Sequence, residues 1–426
     1  MSKDNNPDIS VVLPAYNEGK NIGHLIIKLK QFLSGMNLNY EIIVIDGRSK
    51  DSTQEVARTA GAVVIEQKGK GYGNALKEGF NTAKGEYVLT MDADLSHDCI
   101  FIRDLWEKRK SSDLVIASRF VNGGLADMPL SRVVLSGLLN KFFSSVLAIP
   151  IKDLSSGFRL YKRSILSQID LAGTDFNILQ EILVRLYSVG WTVREVPFHY
   201  KQRREGESKA KLAKFAVSYF KTLRRLWALR NSTESADYDE RAFNSRIPLQ
   251  RYWQRKRYKV IMGFLDTRES ILDVGCGTSK IIQNLSNAIA LDVSFSKLRY
   301  LKKTNKFLAN ASVMNLPFMD ESFSTVICSE VIEYIEKKDV IFEELKRVLK
   351  KGGVLIIGTP DYSKVTWRMV GGIYNLVLGG AYGDKYNCVS QYTYDELSGK
   401  LKSLGFNISE AKYIYNSELI VKAVKQ

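Results

Sequence analysis

Two aspartates one residue apart, Asp92 and Asp94, end the apolar run "EYVLTMDADLSHD", residues 86–98. Side chains alternate along a strand, so positions i and i+2 point the same way. Two carboxylates on one side of a strand end repel each other unless a positive charge lies between them. A hard divalent cation meets that need, since Mg2+ takes one or two carboxylates and fills its remaining sites with phosphate oxygens and water. A solvated acidic turn is the competing reading of an isolated Asp-x-Asp. A second candidate is "SILDVGCGTSK", residues 270–280, where an apolar run ends in Asp273 and passes into a turn with Gly275 and Gly277. Glycines let backbone approach a cofactor closely. Asp292 ends the next apolar run, "AIALDV", at the distance where an acid bonds ribose hydroxyls in dinucleotide folds.

The elements around these residues alternate in type. "ISVVLPAYN", "YEIIVID", "AVVIEQ" and "EYVLTMD" read as strands. "NIGHLIIKLKQFL", "DSTQEVARTAGA" and "YGNALKEGFNTAKG" read as the helices between them. Such alternation predicts a mainly parallel sheet covered by helices, with ligands at the carboxyl ends of strands. Asp46, Asp92 and Asp94 all fall at such ends, which favours a site over a chance turn. Around "RNSTESADYDE", residues 230–240, the apolar pattern lapses into small polar residues and acids. A basic helix, "LQRYWQRKRYKVIMGFL", opens a second alternating series. The expected organisation is a first domain over 1–230, a linker over 231–247 and a second domain over 248–426.

Composition bounds the class. The chain has 426 residues, 45% of them hydrophobic and 25% charged, as in ordinary folded proteins. Its four cysteines form no CxxC pair, so neither a zinc site nor a disulfide framework is expected. The polar opening "MSKDNNPDIS" lacks an apolar signal core, and a cytoplasmic location is expected. The longest apolar stretch, residues 133–151, has Lys141 in its middle and reads as a buried or interfacial helix pair. The net charge of +16 is concentrated. Residues 194–230 hold eleven Lys/Arg against three Glu, and 241–259 hold seven and no acid. An anionic partner surface follows, either lipid headgroups or nucleic acid. In "KLAKFAVSYFKTLRRLWAL", Leu212, Phe215, Tyr219, Leu223, Leu226 and Trp227 recur at helical spacing among basic residues. That pattern suits a helix lying on an anionic bilayer, or one packed on its own domain. Its lipid-like amphipathicity weighs against nucleic acid.

In the first half, "LPAYNE", "VIDGRSKDST", "MDADLSH", "DLSSGFRLYKRSIL" and "GESK" occur in order. Together they resemble the inverting family-2 glycosyltransferases, and most closely the dolichyl-phosphate mannosyltransferase group. The resemblance implies a GT-A-type fold, Mg2+ or Mn2+, a nucleotide sugar (GDP-mannose or UDP-hexose) and a dolichyl or polyprenyl phosphate acceptor. Pro14, Tyr16, Glu18 and Asp46 would then hold base and ribose. Asp92, Asp94 and Ser96 would surround the metal and diphosphate. Arg119, Arg132, Ser136 and Arg203 match positions that the family uses near the phosphates. The chemistry fits these types: a phosphate monoester, with a second pKa of about 6, is already an oxyanion near neutrality. It needs capture by arginine's planar fork rather than a base. One departure is Asp46-Gly47-Arg48, where relatives commonly have Asp-Asp.

From about residue 250 onward, "LDVGCGTSK", "NLPFMDESFSTVICSEVIEYI" and "VLKKGGVLIIGTPD" resemble the class I S-adenosylmethionine-dependent methyltransferases. By that resemblance Asp273 lies near the methionine end of the cofactor, Gly275 and Gly277 along it, and Asp292 at its ribose. Ser312 stands where relatives often have an acid, and Glu333-Tyr334 where many have Glu-His. The whole reads as two Rossmann-like α/β domains: a hexosyltransferase at an anionic membrane surface, with no nucleic-acid partner, fused to a methyltransferase of the same glycan or lipid pathway. Transfer to a saccharide or protein hydroxyl, beside a scaffolding methyltransferase-like domain, is the alternative.

Overall fold

A computed structural model describes residues 6–201, 212–266, 270–304, 306–336, 339–369 and 389–426, with backbone alone over 212–221. Arg203 and the "GESK" motif lie outside these residues, as do the side chains of Leu212, Phe215 and Tyr219. Two compact units result: residues 1–187 with 191–230, and residues 231–426 with 188–190.

The first unit is built on strands β1 (Ile9–Ala15), β2 (Tyr40–Asp46), β3 (Val63–Glu66), β4 (Tyr87–Thr90), β5 (Leu114–Ser118), β6 (Leu125–Ala126), β7 (Arg159–Lys162), β8 (Val193–Pro197) and β9 (His199–Tyr200). Seven of them form one sheet in the order β3-β2-β1-β4-β7-β5-β8, and β6 pairs with β9. Only β7 runs antiparallel to its sheet neighbours. The continuous apolar runs of β1 and β2 follow from burial on both faces, as parallel sheets require. Val12, Ile43 and Ile45 pack into one core, and Val11, Leu13, Ile42 and Val44 into the other. Helix Gly19–Gly35 covers the second face, burying Ile22, Leu25, Ile26, Leu29 and Leu33 at helical spacing.

One apolar segment departs from expectation, and one basic segment follows the second of its two readings. Residues 133–151 form no helix pair. One helix, Leu130–Val146, buries only Asn140 and Phe143. Leu130, Val134, Leu135, Leu138, Leu139 and Phe142 are all more than 45% exposed along it. The amphipathic helix, Leu212–Asn231, packs over its last turns on its own domain: Leu226 belongs to the core, with Leu223, Trp227 and Leu229 against it. Its Arg230 is fully buried and donates to the Leu147 and Ala148 carbonyls at 3.0 Å each. Arg159 is buried likewise, donating to the carbonyls of Leu154, Ser156 and Leu179. Part of the positive charge counted as surface therefore serves as internal bracing.

The second unit has strands β10 (Ile271–Val274), β11 (Ala288–Asp292), β12 (Phe307–Asn310), β13 (Phe323–Ser329), β14 (Leu349–Pro360), β15 (Phe406–Ile414) and β16 (Glu418–Lys425). They form a sheet in the order β12-β11-β10-β13-β14-β16-β15. Only β16 is antiparallel to its neighbours. The segment read as a connector contains a helix, Tyr238–Phe243, and belongs to this unit. Helix Pro248–Phe264 follows, burying Trp253, Val260, Ile261 and Phe264. Its Arg257 faces inward, 2.6 Å from Glu418 Oε1 and 3.2 Å from Glu330 Oε2.

Arg257 is the near cation for a buried group of carboxylates. Removing one partner of a buried ion pair costs about 3–5 kcal/mol, because the remaining charge is left uncompensated. Arg257→Ala should therefore lower the denaturation midpoint of the second unit sharply and leave the first unit's transition in place. Chemical denaturation followed by a probe in each unit measures this.

Candidate active sites

Parallel register brings the first site together. Ala15 lies opposite Asp46, and Val12 opposite Thr90, so β1, β2 and β4 end along one edge. Asp46 is fully buried. Its Oδ2 accepts from Ser49 N at 2.9 Å and from Gln54 Nε2 at 2.7 Å, while Oδ1 is buried with no hydrogen-bond partner. Buried polar atoms are normally satisfied, so this oxygen fits an N–H or O–H of a donor nucleoside. Pro14 lies in β1 beside it, and Tyr16 just beyond is 42% exposed. Glu18 holds Asn21 at 2.8 Å at the start of the first helix. Arg48, in the left-handed region at φ 64°, turns outward to the Lys68 carbonyl and to Glu66.

Asp94 is 3% exposed, and its Oδ1 accepts from both the amide and the hydroxyl of Ser96. Ser96 thereby fixes the Asp94 carboxylate within a turn whose central residue, Leu95, has φ 63°. Asp92 is held by a residue to which the sequence reading gave no role. The buried His97 ring stacks on Phe158 at 5.0 Å. Its Nδ1 accepts the Asp92 amide at 3.1 Å, and Nε2 lies 3.7 Å from Asp92 Oδ2. Burial lowers the His97 pKa below its ordinary value. The neutral ring, with Nδ1 as acceptor, carries its proton on Nε2, toward the carboxylate. This is how an outer residue orients a metal-binding group. Its signal in the sequence was a histidine three positions after the acidic pair, in "DADLSH".

Asp92 and Asp94 supply the hard oxygen donors that Mg2+ or Mn2+ accepts. No group of three or more His, Cys, Asp or Glu stands in metal-binding array among the described residues. The cradle beside Asp92 is kept open by Gly157. A Cβ there would lie 2.6 Å from Tyr72 Oη and 3.3 Å from Asp92 Oδ1. Tyr72 Oη is itself buried and without a hydrogen-bond partner.

The phosphate-binding candidates separate. Arg119 spends its fork on Asp153, Nε to Oδ2 and Nη2 to Oδ1, both at 2.8 Å, and Nη2 also reaches Ser155. Burial acts to raise the Asp153 pKa, but Arg119 and the hydrogen bonds around it prevail and hold it below the ordinary value. Arg119 therefore braces the loop before β7, rather than presenting a free fork to phosphate. Arg132 is exposed in the first turn of helix Leu130–Val146, and Ser136 is half-buried one turn on, so both share a face.

In the second unit, Gly275 and Gly277 adopt φ 67° and 54°, which any side chain would strain. Asp292 Oδ2 accepts from Gly277 N at 2.9 Å and its Oδ1 from Ser294 N at 2.7 Å. Asp273 is 4% exposed, and its Oδ2 has no hydrogen-bond partner. Burial above all, then Asp292 and Asp239, pushes its pKa up to about 8. Further buried atoms without hydrogen-bond partners stand near the ends of β13 and β14: Ser329 Oγ, Glu330 Oε1, both oxygens of Glu333 and Thr359 Oγ1. Burial pushes Glu330 up to about 7 against the pull of Arg257, and burial with Glu330 raises Glu333 well above the ordinary range. Glu333 was noted in the sequence only for the tyrosine beside it. Its isolation depends on packing that no local pattern records. Asp273 suits the ammonium of S-adenosylmethionine, since a cation would settle its buried charge.

The two units are thus α/β domains with their candidate sites at strand ends. Residues 10–170 match Glycosyl transferase family 2, and residues 272–357 match a Methyltransferase domain family. The chain joins a family-2 glycosyltransferase domain to a methyltransferase domain. Among curated proteins it is 36% identical over 233 residues to a Dolichol-phosphate mannosyltransferase of Pyrococcus furiosus, spanning 52% of this chain and 63% of that protein. It is 32% identical over 206 residues to the Low-salt glycan biosynthesis hexosyltransferase Agl6 of Haloferax volcanii, spanning 47% of this chain and 49% of that one. Among solved structures it is similar to glucosyl-3-phosphoglycerate synthase of Mycobacterium tuberculosis, at 20% identity and a TM-score of 0.44 over 52% of this chain and 78% of that one. The second half is similar to a SAM-dependent methyltransferase of Thermotoga maritima, at 19% identity and a TM-score of 0.38 over 44% of this chain and 94% of that one.

His97→Phe keeps the ring stack and removes both nitrogens. Loss of an outer-shell partner costs roughly 10–100-fold in metal affinity or activity. Mn2+ titration should register that drop with the melting temperature little changed.

For Asp273, a folded-state pKa raised to about 8 from the ordinary 3.8 makes ionisation costly. Stability tied to the protonated form is complete below the ordinary value and lost as pH rises through the folded one. Asp273→Asn cannot ionise. Its stability relative to wild type should rise between about pH 4 and 8 and then level off, as denaturation in a pH series would register.

Proposed function

We propose that the first domain transfers a hexose, with inversion, from a nucleotide sugar to a polyprenyl phosphate at the cytoplasmic face of a membrane, with mannose or glucose as the sugar. The observation that supports this reading is the buried Asp46 oxygen without a hydrogen-bond partner at the end of β2, with Asp92 and Asp94 following the end of the neighbouring β4. Asp46 would take a nucleoside N–H or O–H of GDP-mannose or a UDP-hexose, beside Pro14, Tyr16 and Glu18. Asp92 and Asp94 would hold Mg2+ or Mn2+, with His97 and Ser96 fixing their carboxylates. The ion, when bound, supplies charge to offset the departing diphosphate.

The acceptor phosphate oxygen attacks the anomeric carbon as the bond to the diphosphate breaks. As a dianion it brings no proton, so no side chain has to act as base. Arg132 and Ser136, with Arg203, would capture and orient it. The prenyl tail and the bilayer would lie against the exposed leucines and Phe142 of the same helix. An apolar face rimmed by basic residues is suited to a membrane interface. No described helix is long and apolar enough to cross a membrane, so attachment through this face would be peripheral.

The second domain would use S-adenosylmethionine, with its ammonium on Asp273 and its ribose on Asp292, along Gly275 and Gly277. The acceptor's nucleophile would take the methyl group through positioning, its proton passing to solvent. The two activities would serve one glycan or lipid pathway, a link that rests on their fusion.

Short-chain prenyl phosphate and the matching free alcohol, each offered with a panel of sugar nucleotides, test the acceptor. The phosphate should react and the alcohol should be inert, with Asp94→Asn abolishing transfer. Arg132→Lys keeps the charge but loses the fork. Losing one charged hydrogen bond costs about 1.5–3 kcal/mol, so the rate should fall roughly tenfold to hundredfold while donor binding persists. Equal reaction of the alcohol would instead establish transfer to a hydroxyl.

A further inference from the structure

We infer that Asp239, on the helix before the methyltransferase motifs, is a positioning residue for the methyl donor: its carboxylate holds the glycine turn in the shape the cofactor needs. The inference rests on the second domain's proposed use of S-adenosylmethionine.

The turn after β10 contains two consecutive amides, Gly277 and Thr278, and each is bound by a protein carboxylate. Gly277 N donates to Asp292 Oδ2 at 2.9 Å, and Thr278 N to Asp239 Oδ2 at 2.8 Å. Thr278 Oγ1 lies 3.3 Å from the same oxygen, and Lys297 Nζ lies 3.5 Å from it. Thr278 is fully buried, and Lys297 is 17% exposed. These are bonds sheltered from water, where a charge-assisted contact is strong.

Gly277 acquires a second explanation from this contact. A Cβ at position 277 would collide with the Asp239 carboxylate before any ligand enters. The glycine is required by positive φ and by Asp239 together, whereas sequence reasoning attributes it to the cofactor alone.

The helix carrying Asp239 is itself anchored. Glu240 accepts from Tyr300 Oη at 2.9 Å and Gln283 Nε2 at 3.3 Å, and pairs with Lys280 and Lys303. Tyr238–Phe243 is therefore fastened to the turn, to helix Lys280–Asn284 and to helix Phe295–Leu301. Since these turn amides are occupied by carboxylates, they shape the site rather than grip the ligand. Cofactor affinity then depends on how well the turn is formed beforehand.

The full chain with Asp239→Ala or Asp239→Asn is titrated calorimetrically with S-adenosylhomocysteine and S-adenosylmethionine. Amide exchange over residues 275–279 is followed without ligand. Asp239→Ala should weaken both nucleosides by roughly tenfold to hundredfold, the range of one charged hydrogen bond. Exchange at Gly277 and Thr278 should quicken, while the global melting temperature moves little. Asp239→Asn, which keeps shape and an acceptor oxygen, should fall between, and serves alone if the alanine variant does not fold. Affinity within twofold of wild type, or unchanged exchange in the turn, overturns the inference. If wild type binds neither nucleoside, the methyl-donor reading fails, and the exchange data still decide whether Asp239 holds the turn.

Discussion

Carboxylates withdrawn from water at strand ends are the constraint on which both domains depend. Parallel strands that end in register deliver side chains to one edge: Asp46 ends β2 with Asp92 and Asp94 in the turn just past β4, and Asp273 and Asp292 lie at the ends of β10 and β11, all but the partly exposed Asp92 buried. A buried charge is tolerated only when it is paired or hydrogen-bonded. The first domain meets this with neutral donors. Ser96 closes a turn on Asp94, His97 presents a proton to Asp92, and Ser49 and Gln54 hold one oxygen of Asp46. Neutral donors fix the geometry without cancelling the negative charge.

Arginine supplies compensation away from those edges. Arg119 closes on Asp153, Arg159 satisfies three backbone carbonyls, and Arg230 two more. Arg257 stands between Glu330 and Glu418. The excess of basic residues thus divides into surface charge and internal bracing, a division that counting cannot make. It also moves the weight of the membrane reading. The last turns of helix Leu212–Asn231 bury Leu226 in the domain core, and among the described residues Leu130–Val146 presents an exposed apolar face.

The fold was largely legible in the sequence, as were the strand ends beside which the candidate acids of the first site lie. Strands such as "VVLPA" and "IIVID" announce themselves because burial on both faces demands continuous apolar runs, and their terminal acids mark the edge. Positions set by long-range packing were not legible. Nothing local distinguishes Arg119, clamped to Asp153 thirty-four positions on, from a free phosphate-binding arginine. The exposure of Leu135 and Leu138 depends on what else packs nearby, since apolar spacing alone fits a buried helix equally well. The role of Asp239 was hidden for the same reason: a polar, acid-rich segment reads as a connector until its carboxylate is seen at the glycine turn.

The two sites handle negative charge in opposite ways, and the difference matches their chemistry. In the first, donors hold the carboxylates in place, as the proposed approach of an anionic diphosphate through a cation would require. In the second, Asp273, Glu330 and Glu333 are pushed toward their protonated forms by burial above all, and Arg257 faces only some of them. Such a site is costly to ionise when empty. A ligand with an ammonium and a sulfonium would reverse that cost, since a nearby cation favours the charged form of each carboxylate. Loss of the sulfonium charge on methyl transfer would remove part of that attraction. Cofactor binding, methyl transfer and product release would in this way share one electrostatic origin, the unmet charge at the ends of β10 and β13.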